Sequence, residues 1–346
     1  MKTKRETLTP IAYIVMAAVL AAAIIVCVCA GSVNLPLRDT ATAIYDGVVS
    51  LLTGRELPTG GSHSIILRSR LPRVLCVALT GAALSLCGAA MQGLLRNPLA
   101  DGSTLGVSGG ASLGAVIAIA TGLTIPGLPG GSTMVTAILF AFLSLALILF
   151  LSYKIDRNMS TNTIILMGVV FSMFTTSIIS IITVFSQEKV RTITFWTMGS
   201  LANTNYVNVL TILVAFAVCA AVLLCCSREL NAFAIGEENA RHIGVNVKRV
   251  KLTVLIAVSA LIGVCVSIGG SIGFVGLIIP HMVRRLFGAN HRKLLPASIF
   301  AGAVFLLFAD LAARTLLRPL ELPVGVVTSL IGTVTFIVIF ARKGMK

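Results

Sequence analysis

Apolar windows of about twenty residues recur along almost the whole chain, and an α-helix needs a window of about that length to cross a bilayer core. They fall near 10–30, 74–94, 103–121, 133–152, 162–185, 205–226, 252–268, 272–287, 295–313 and 323–341. Inside hydrocarbon every backbone N–H and C=O must find a partner within the protein, which leaves the helix as the spanning element for windows of this length. The composition agrees: of 346 residues 57% are hydrophobic and 11% charged, whereas a soluble domain carries roughly a quarter charged residues. The expected fold is an all-α polytopic membrane protein of about ten transmembrane helices, one transmembrane domain over residues 1–346.

A formal net charge of +15 would suggest nucleic acid in a soluble chain, but here the basic residues sort by side. With a cytoplasmic N-terminus, about two thirds of the 27 Lys and Arg fall in inner segments, as the positive-inside rule requires. Both termini are therefore expected in the cytoplasm, with lipid as the surrounding partner and no nucleic acid. The start of the chain imitates a signal peptide, yet its apolar run is longer than a signal core, so it is read as a retained first span. The eight cysteines all lie in or beside apolar runs. None has companion ligands at metal spacing, so neither a metal site nor a disulfide framework is expected.

Loops are short, with two exceptions. The outer segment from Gly31 to Arg73 carries turn formers and then Arg68, Arg70 and Arg73. The inner segment 227–251 is polar, punctuated by Gly236 and Gly244, and fits two short helices, the second opened by Glu237 and Glu238, where acidic side chains suit the positive end of the helix dipole. Leu230, Phe233, Ile235, Ile243 and Val245 give it an apolar face that a partner could cover. The third and eighth spans are rich in small residues, which allow close helix packing or a backbone-lined conduit. The stretch Gly269–Arg285 adds Pro280, His281 and an arginine pair. Broken helix there is tolerated only if protein shields it or it lines a polar cavity.

No G-x-x-x-x-G-K-[ST] phosphate cradle occurs in the sequence, so ATP hydrolysis by this chain is not expected; nor is there an H-E-x-x-H or a G-x-S-x-G. The four histidines lie near span ends and read as hydrogen-bonded interface residues. Asp310 stands toward the outer end of span nine, four residues before Arg314, where an i,i+4 pair would neutralise both. The scarcity of other intramembrane ionisable groups weighs against the alternative of a proton- or sodium-coupled secondary transporter. Arg70, Arg73, Arg314 and Arg318 cap spans on the outer side, where they either snorkel or form a positive patch matched to an acidic docking protein.

Several ordered motifs resemble the FecCD family, the permeases of ATP-binding-cassette (ABC) importers for ferric siderophores, haem and vitamin B12. They are Arg70-Leu71-Pro72-Arg73; Gly88 with Gln92, then Arg96-Asn97-Pro98-Leu99-Ala100; Trp196 with Gly199-Ser200; Gly236-Glu237-Glu238 with Ala240 and Gly244-Val245-Asn246-Val247; Gly273-Phe274 with Gly276, Pro280, His281 and Arg284; His291-Arg292 with Pro296; Ala309-Asp310 with Arg314; and Glu321-Leu322-Pro323 with Gly325 and Thr328.

The resemblance implies a multi-pass subunit of the bacterial cytoplasmic membrane that is not itself an enzyme. It also implies pairing with a second copy or sister permease, two cytoplasmic ABC ATPase subunits and an extracytoplasmic substrate-binding protein. No cofactor is implied on this chain, ATP and Mg being held by the ATPase partner. By the same resemblance Gly236, Glu237, Glu238, Ala240, Arg241, Gly244, Val245 and Asn246 couple to the ATPase, and Arg70, Arg73 and Arg314 dock the binding protein. Thr161 and Asn162 stand at the inner gate, and Gln92, Asn97, Pro98, Gly273, Gly276, Pro280 and His281 belong to the pathway or its packing. Two departures are visible. Gly332-Thr333-Val334-Thr335-Phe336 lacks the family's proline, so span ten should run straighter, and Asp101-Gly102-Ser103-Thr104 replaces a Pro-Gly turn but offers Asp101 or Ser103 as an N-cap.

Overall fold

The apolar windows become helices and the polar breaks become short caps, turns and surface helices. The structure is a computed structural model, described over residues 4–31, 36–53, 61–102, 105–125, 130–157 and 159–344. In chain order, α1 (Lys4–Cys29) leads to α2 (Leu37–Thr53), and α3 (Gly61–Ser64) runs through a π-helical turn (Ile65–Arg70) into α4 (Leu71–Leu94). Then come α5 (Val107–Thr121), α6 (Gly131–Ile155), α7 (Thr161–Phe185), α8 (Val190–Thr197) and α9 (Tyr206–Cys225). The chain closes with α10 (Ser227–Phe233), α11 (Glu237–His242), α12 (Val247–Gly269), α13 (Val275–Phe287), α14 (His291–Thr315) and α15 (Val324–Gly344).

Seven of these segments are long and apolar enough to cross a membrane alone, and Val107–Thr121 and Val324–Val338 are shorter apolar helices. With the 13-residue α13 they match the ten expected windows. The helix α2 was not anticipated: Leu37, Ile44, Val48 and Leu51 recur at helical spacing in the sequence, but the segment is too polar to register as a span.

The helix α4 is the axis of the bundle. Its apolar window is 83% buried, against 17% for that of α7, and it packs on α14, α13, α12 and α9. Small residues make those approaches possible. A Cβ on Gly81 would strike the Gly302 carbonyl of α14, and one on Gly88 would strike the Gly276 backbone of α13. The third span follows the same rule, with Gly110 of α5 against Ser144 of α6 and Gly114 against the Thr136 carbonyl.

The break foreseen within Gly269–Arg285 lies between α12 and α13. At 1.5 Å per residue α13 is only about 20 Å long, so residues 270–274 complete the crossing as non-helical backbone. Protein packs against them, burying Gly270 and leaving the next four half-buried. Gly270 (φ 67°) lies against the Trp196 carbonyl, Gly199 (φ 76°) against the Ser271 carbonyl, and Ser200 N–H donates to Gly269 O at 2.8 Å. Gly325, at the start of α15, donates its N–H to Gly199 O at 3.2 Å. Three glycines from distant parts of the sequence thus let three backbones meet and exchange the hydrogen bonds that lipid cannot supply.

Span ten, lacking the proline, is one uninterrupted helix, and Gly332 makes room on it for the ring of Phe274. The proposed N-cap role of Asp101 is corrected: α5 starts later, at Val107, capped by Gly106 at φ 70°, because the chain turns in the left-handed region that Asp101 lies too far upstream to serve. Ser103 and Thr104 lie outside the described residues.

Candidate functional site

At the outer end, α1 stops at Cys29 and leaves four terminal carbonyls without helical partners. Ala30 N–H takes Val26 O at 2.8 Å, Arg314 Nη2 donates to Cys27 O at 3.1 Å, and Arg70 Nη1 donates to Val28 O and Cys29 O, both at 2.9 Å. Arg73 Nε and Nη2 donate to Asp310 Oδ1 at 3.1 and 2.9 Å, and its Nη1 donates to Glu321 Oε2 at 2.8 Å. The foreseen Asp310–Arg314 pair is present, with Arg314 Nε 3.0 Å from Asp310 Oδ2.

The expectation of Arg70, Arg73 and Arg314 as an open docking patch is therefore corrected. They are 7%, 7% and 3% exposed, and they cap α1 and neutralise Asp310 and Glu321 rather than facing outward. Arg318 is the member of the group that stays exposed. Sequence reasoning missed this because a basic residue at a span end looks the same whether it snorkels or caps a neighbouring helix.

At the inner end, the two predicted short helices are α10 and α11. Gly236 (φ 111°) turns the chain into α11 and Gly244 (φ 91°) ends it, with Gly244 N–H on Arg241 O at 2.9 Å and Val245 N–H on Ala240 O at 3.0 Å. Asn246 caps α12 by accepting Arg249 N–H at 3.0 Å. The segment is anchored at both helices. Asn231 Oδ1 accepts His291 N–H at 2.8 Å and lies 2.9 Å from His291 Nδ1, fixing α10 to the start of α14. Leu230, Phe233 and Ala240 are fully buried, so the apolar face offered to a partner is narrower than expected. Ile235 and Ile243 remain on it, 56% and 62% exposed, beside exposed Glu238, Arg241 and Asn246.

The two adjacent glutamates point different ways. Glu238 is exposed, whereas Glu237 turns inward: Oε1 lies 2.7 Å from Lys251 Nζ and accepts from Thr161 Oγ1 at 2.8 Å. The structure thus brings Thr161 and Asn162 together with Gly236, Glu237 and Glu238 around one open groove of about 560 Å³, with Arg96 and Asn239 on its rim.

Between the two ends, Gln92 Nε2 donates to Gly276 O at 3.3 Å and Leu277 O at 3.1 Å, tying α4 to α13. Gly273 and Gly276 line a cavity of about 50 Å³ with Asp101, Ser108 and Ser271. Asn97 and Pro98 form a turn, in which Asn97 Oδ1 accepts Leu99 N–H at 2.9 Å. Pro280 is buried inside α13 and His281 is half-buried next to it. Gln92, Gly273, Gly276 and Pro280 are thus gathered around the short broken span, and Asn97 and Pro98 lie in the turn just beyond the end of α4.

Comparison with known proteins gives the same picture on a wider scale. The chain is 41% identical over 332 residues to an uncharacterized ABC transporter permease protein, YvrB, of Bacillus subtilis (strain 168), covering 96% of this chain and 94% of that one. It is 38% identical over 283 residues to the vitamin B12 import system permease protein BtuC of Vibrio vulnificus (strain CMCP6), covering 81% and 84%. A solved inward-facing structure, described as of a metal-chelate type ABC transporter, superposes with a TM-score of 0.84 at 32% identity over 96% of this chain and 99% of that one. Residues 19–342 match the FecCD transport family, and the chain belongs to that family.

Proposed function

We propose that this chain is the membrane-spanning wall of an importer for a metal chelate, most plainly a ferric siderophore, with haem or cobalamin as related cargo. It is a multi-pass permease subunit of an ABC importer in the cytoplasmic membrane, and it works with ATPase and substrate-binding partners. The single observation that carries the reading is the inner segment, where two short anchored helices and the turns that follow them display Ile235, Glu238, Arg241 and Ile243 to the cytoplasm beside the groove at Thr161 and Asn162. Such a surface suits two ATPase subunits, one for each of two permease copies. ATP and Mg belong on that partner, and this chain takes no catalytic part. At the outer end the binding protein meets a surface on which Arg318 is exposed, with Arg70 and Arg314 holding the end of α1 and Arg73 paired to Asp310 and Glu321 beneath it. Asp310, enclosed by two arginines, is poorly suited to carry protons.

The test is reconstitution in liposomes with the cognate ATPase and binding protein. Ferric hydroxamate, haem and cobalamin are offered in turn under ATP, with and without a protonophore. Accumulation of one chelate that needs ATP and survives the protonophore is the expected result. Uptake that collapses with the proton gradient and ignores ATP would overturn the reading.

A further inference from the structure

The inward glutamate of the coupling segment sits in a contact set that the functional reading does not use. Lys251, on the first turns of α12, is 3% exposed. Its Nζ donates to Glu237 Oε2 at 2.8 Å and to the Met159 carbonyl at 3.0 Å. Met159 belongs to the turn between α6 and α7 and is held at φ 49°, a conformation that a non-glycine residue adopts at a cost unless its surroundings fix it. The same turn is tied down by Asp156 Oδ2, which accepts Ser160 N–H at 2.9 Å. On the other side, Thr161, the first residue of α7, donates its hydroxyl to Glu237. One carboxylate and one ammonium therefore fasten together the start of α11, the start of α12 and the turn that opens α7.

Resting on the function proposed above, we infer that Glu237, Lys251 and Thr161 form a bracket making the inner end of α7 move with α11, so that displacement of α11 by the ATPase is delivered to Thr161 and Asn162. Glu237 and Lys251 are positioning residues in this scheme and touch no cargo. The arrangement suits force transmission because charge-assisted hydrogen bonds are short and directional. The pair also resists separation, since the buried Lys251 ammonium cannot be left unpaired at low cost. Glu238, one residue on and exposed, has no such link among the described residues, which separates recruitment of the ATPase from transmission of its movement.

The experiment uses the complete reconstituted complex and two readouts: cargo molecules moved per ATP hydrolysed, and the nucleotide-induced change in distance between spin labels at position 162 of the two permease copies. Glu237→Gln removes the ion pair. Thr161→Val removes only the hydroxyl link and is the variant least liable to misfold. Lys251→Arg keeps the charge. The bracket predicts that Glu237→Gln lowers cargo per ATP at least fivefold and abolishes most of the distance change, that Thr161→Val does both to a lesser degree, and that Lys251→Arg stays within twofold of the parent. Parent-like stoichiometry in both Glu237→Gln and Thr161→Val overturns the bracket and leaves the import function standing. So does a fall in stoichiometry with an unaltered distance change. Failure of the parent complex to couple import to ATP sinks the functional reading and the bracket with it.

Discussion

Asp310 holds two guanidinium groups at once, 2.9 Å from Arg73 and 3.0 Å from Arg314, and is itself 1% exposed. Removing one partner of a buried ion pair strands the other charge, at a cost of about 3–5 kcal/mol. Asp310→Ala is therefore expected to lower the unfolding midpoint of the detergent-solubilised protein sharply, whereas Arg318→Ala, at an exposed position, should leave it within the roughly ±0.5 kcal/mol of ordinary surface changes. Equal midpoints for the two variants would refute the capping account of the arginines. Glycines divide in the same way. Gly88 has the Gly276 backbone where a Cβ would go, while Gly130 (φ 75°) has nothing within 4 Å among the described residues. Gly130→Ala should cost only the left-handed backbone term of about 1–2 kcal/mol, and Gly88→Leu should abolish recovery of monodisperse protein, as size-exclusion chromatography would show.

The inner segment shows at the level of elements how recruitment can be separated from stability. Ile235 and Ile243 sit exposed in the turns that follow α10 and α11, so Ile235→Asp with Ile243→Asp should leave the melting midpoint unchanged. The same double substitution should weaken ATPase binding at least tenfold, which corresponds to about 1.4 kcal/mol. Undiminished affinity in a pull-down titration would remove the segment from the interface. Most elements were legible in the sequence because a twenty-residue apolar window has one solution in lipid, and the short segments at Gly236 and Gly244 were legible because glycine takes the wide positive φ of such turns at little steric cost. The helix α2 was not, being too polar to read as a span. Nor was the division of labour between Glu237 and Glu238, since it is set by Lys251 and Thr161, 14 and 76 residues away. Pattern along the chain reports which face is apolar; it does not report which distant side chain will meet a carboxylate.

For the molecule as a whole, the helix ends and the basic residues specify one orientation. Ten successive crossings, one each by α1, α4, α5, α6, α7, α9, α12, α13, α14 and α15, bring the α10–α11 segment to the same side as the start of α1 and the end of α15 and put Arg318, between α14 and α15, on the other. The exposed Arg241, Lys248 and Arg249 concentrate on the first side, where the positive-inside rule places the cytoplasm. In a variant from which the exposed Cys225 and the other native cysteines have been removed, single cysteines at positions 238 and 318 should respond oppositely to a membrane-impermeant thiol reagent. Position 318 should label in intact spheroplasts and position 238 only after the membrane is opened. If both label in intact spheroplasts, or both only after lysis, one crossing is missing and the short helix α13 is the span to doubt, because its 13 residues reach across only with the backbone of residues 270–274. The reverse pattern would place α11 outside, where no ATP-driven partner could reach it, and the coupling surface would lose its function whatever its shape.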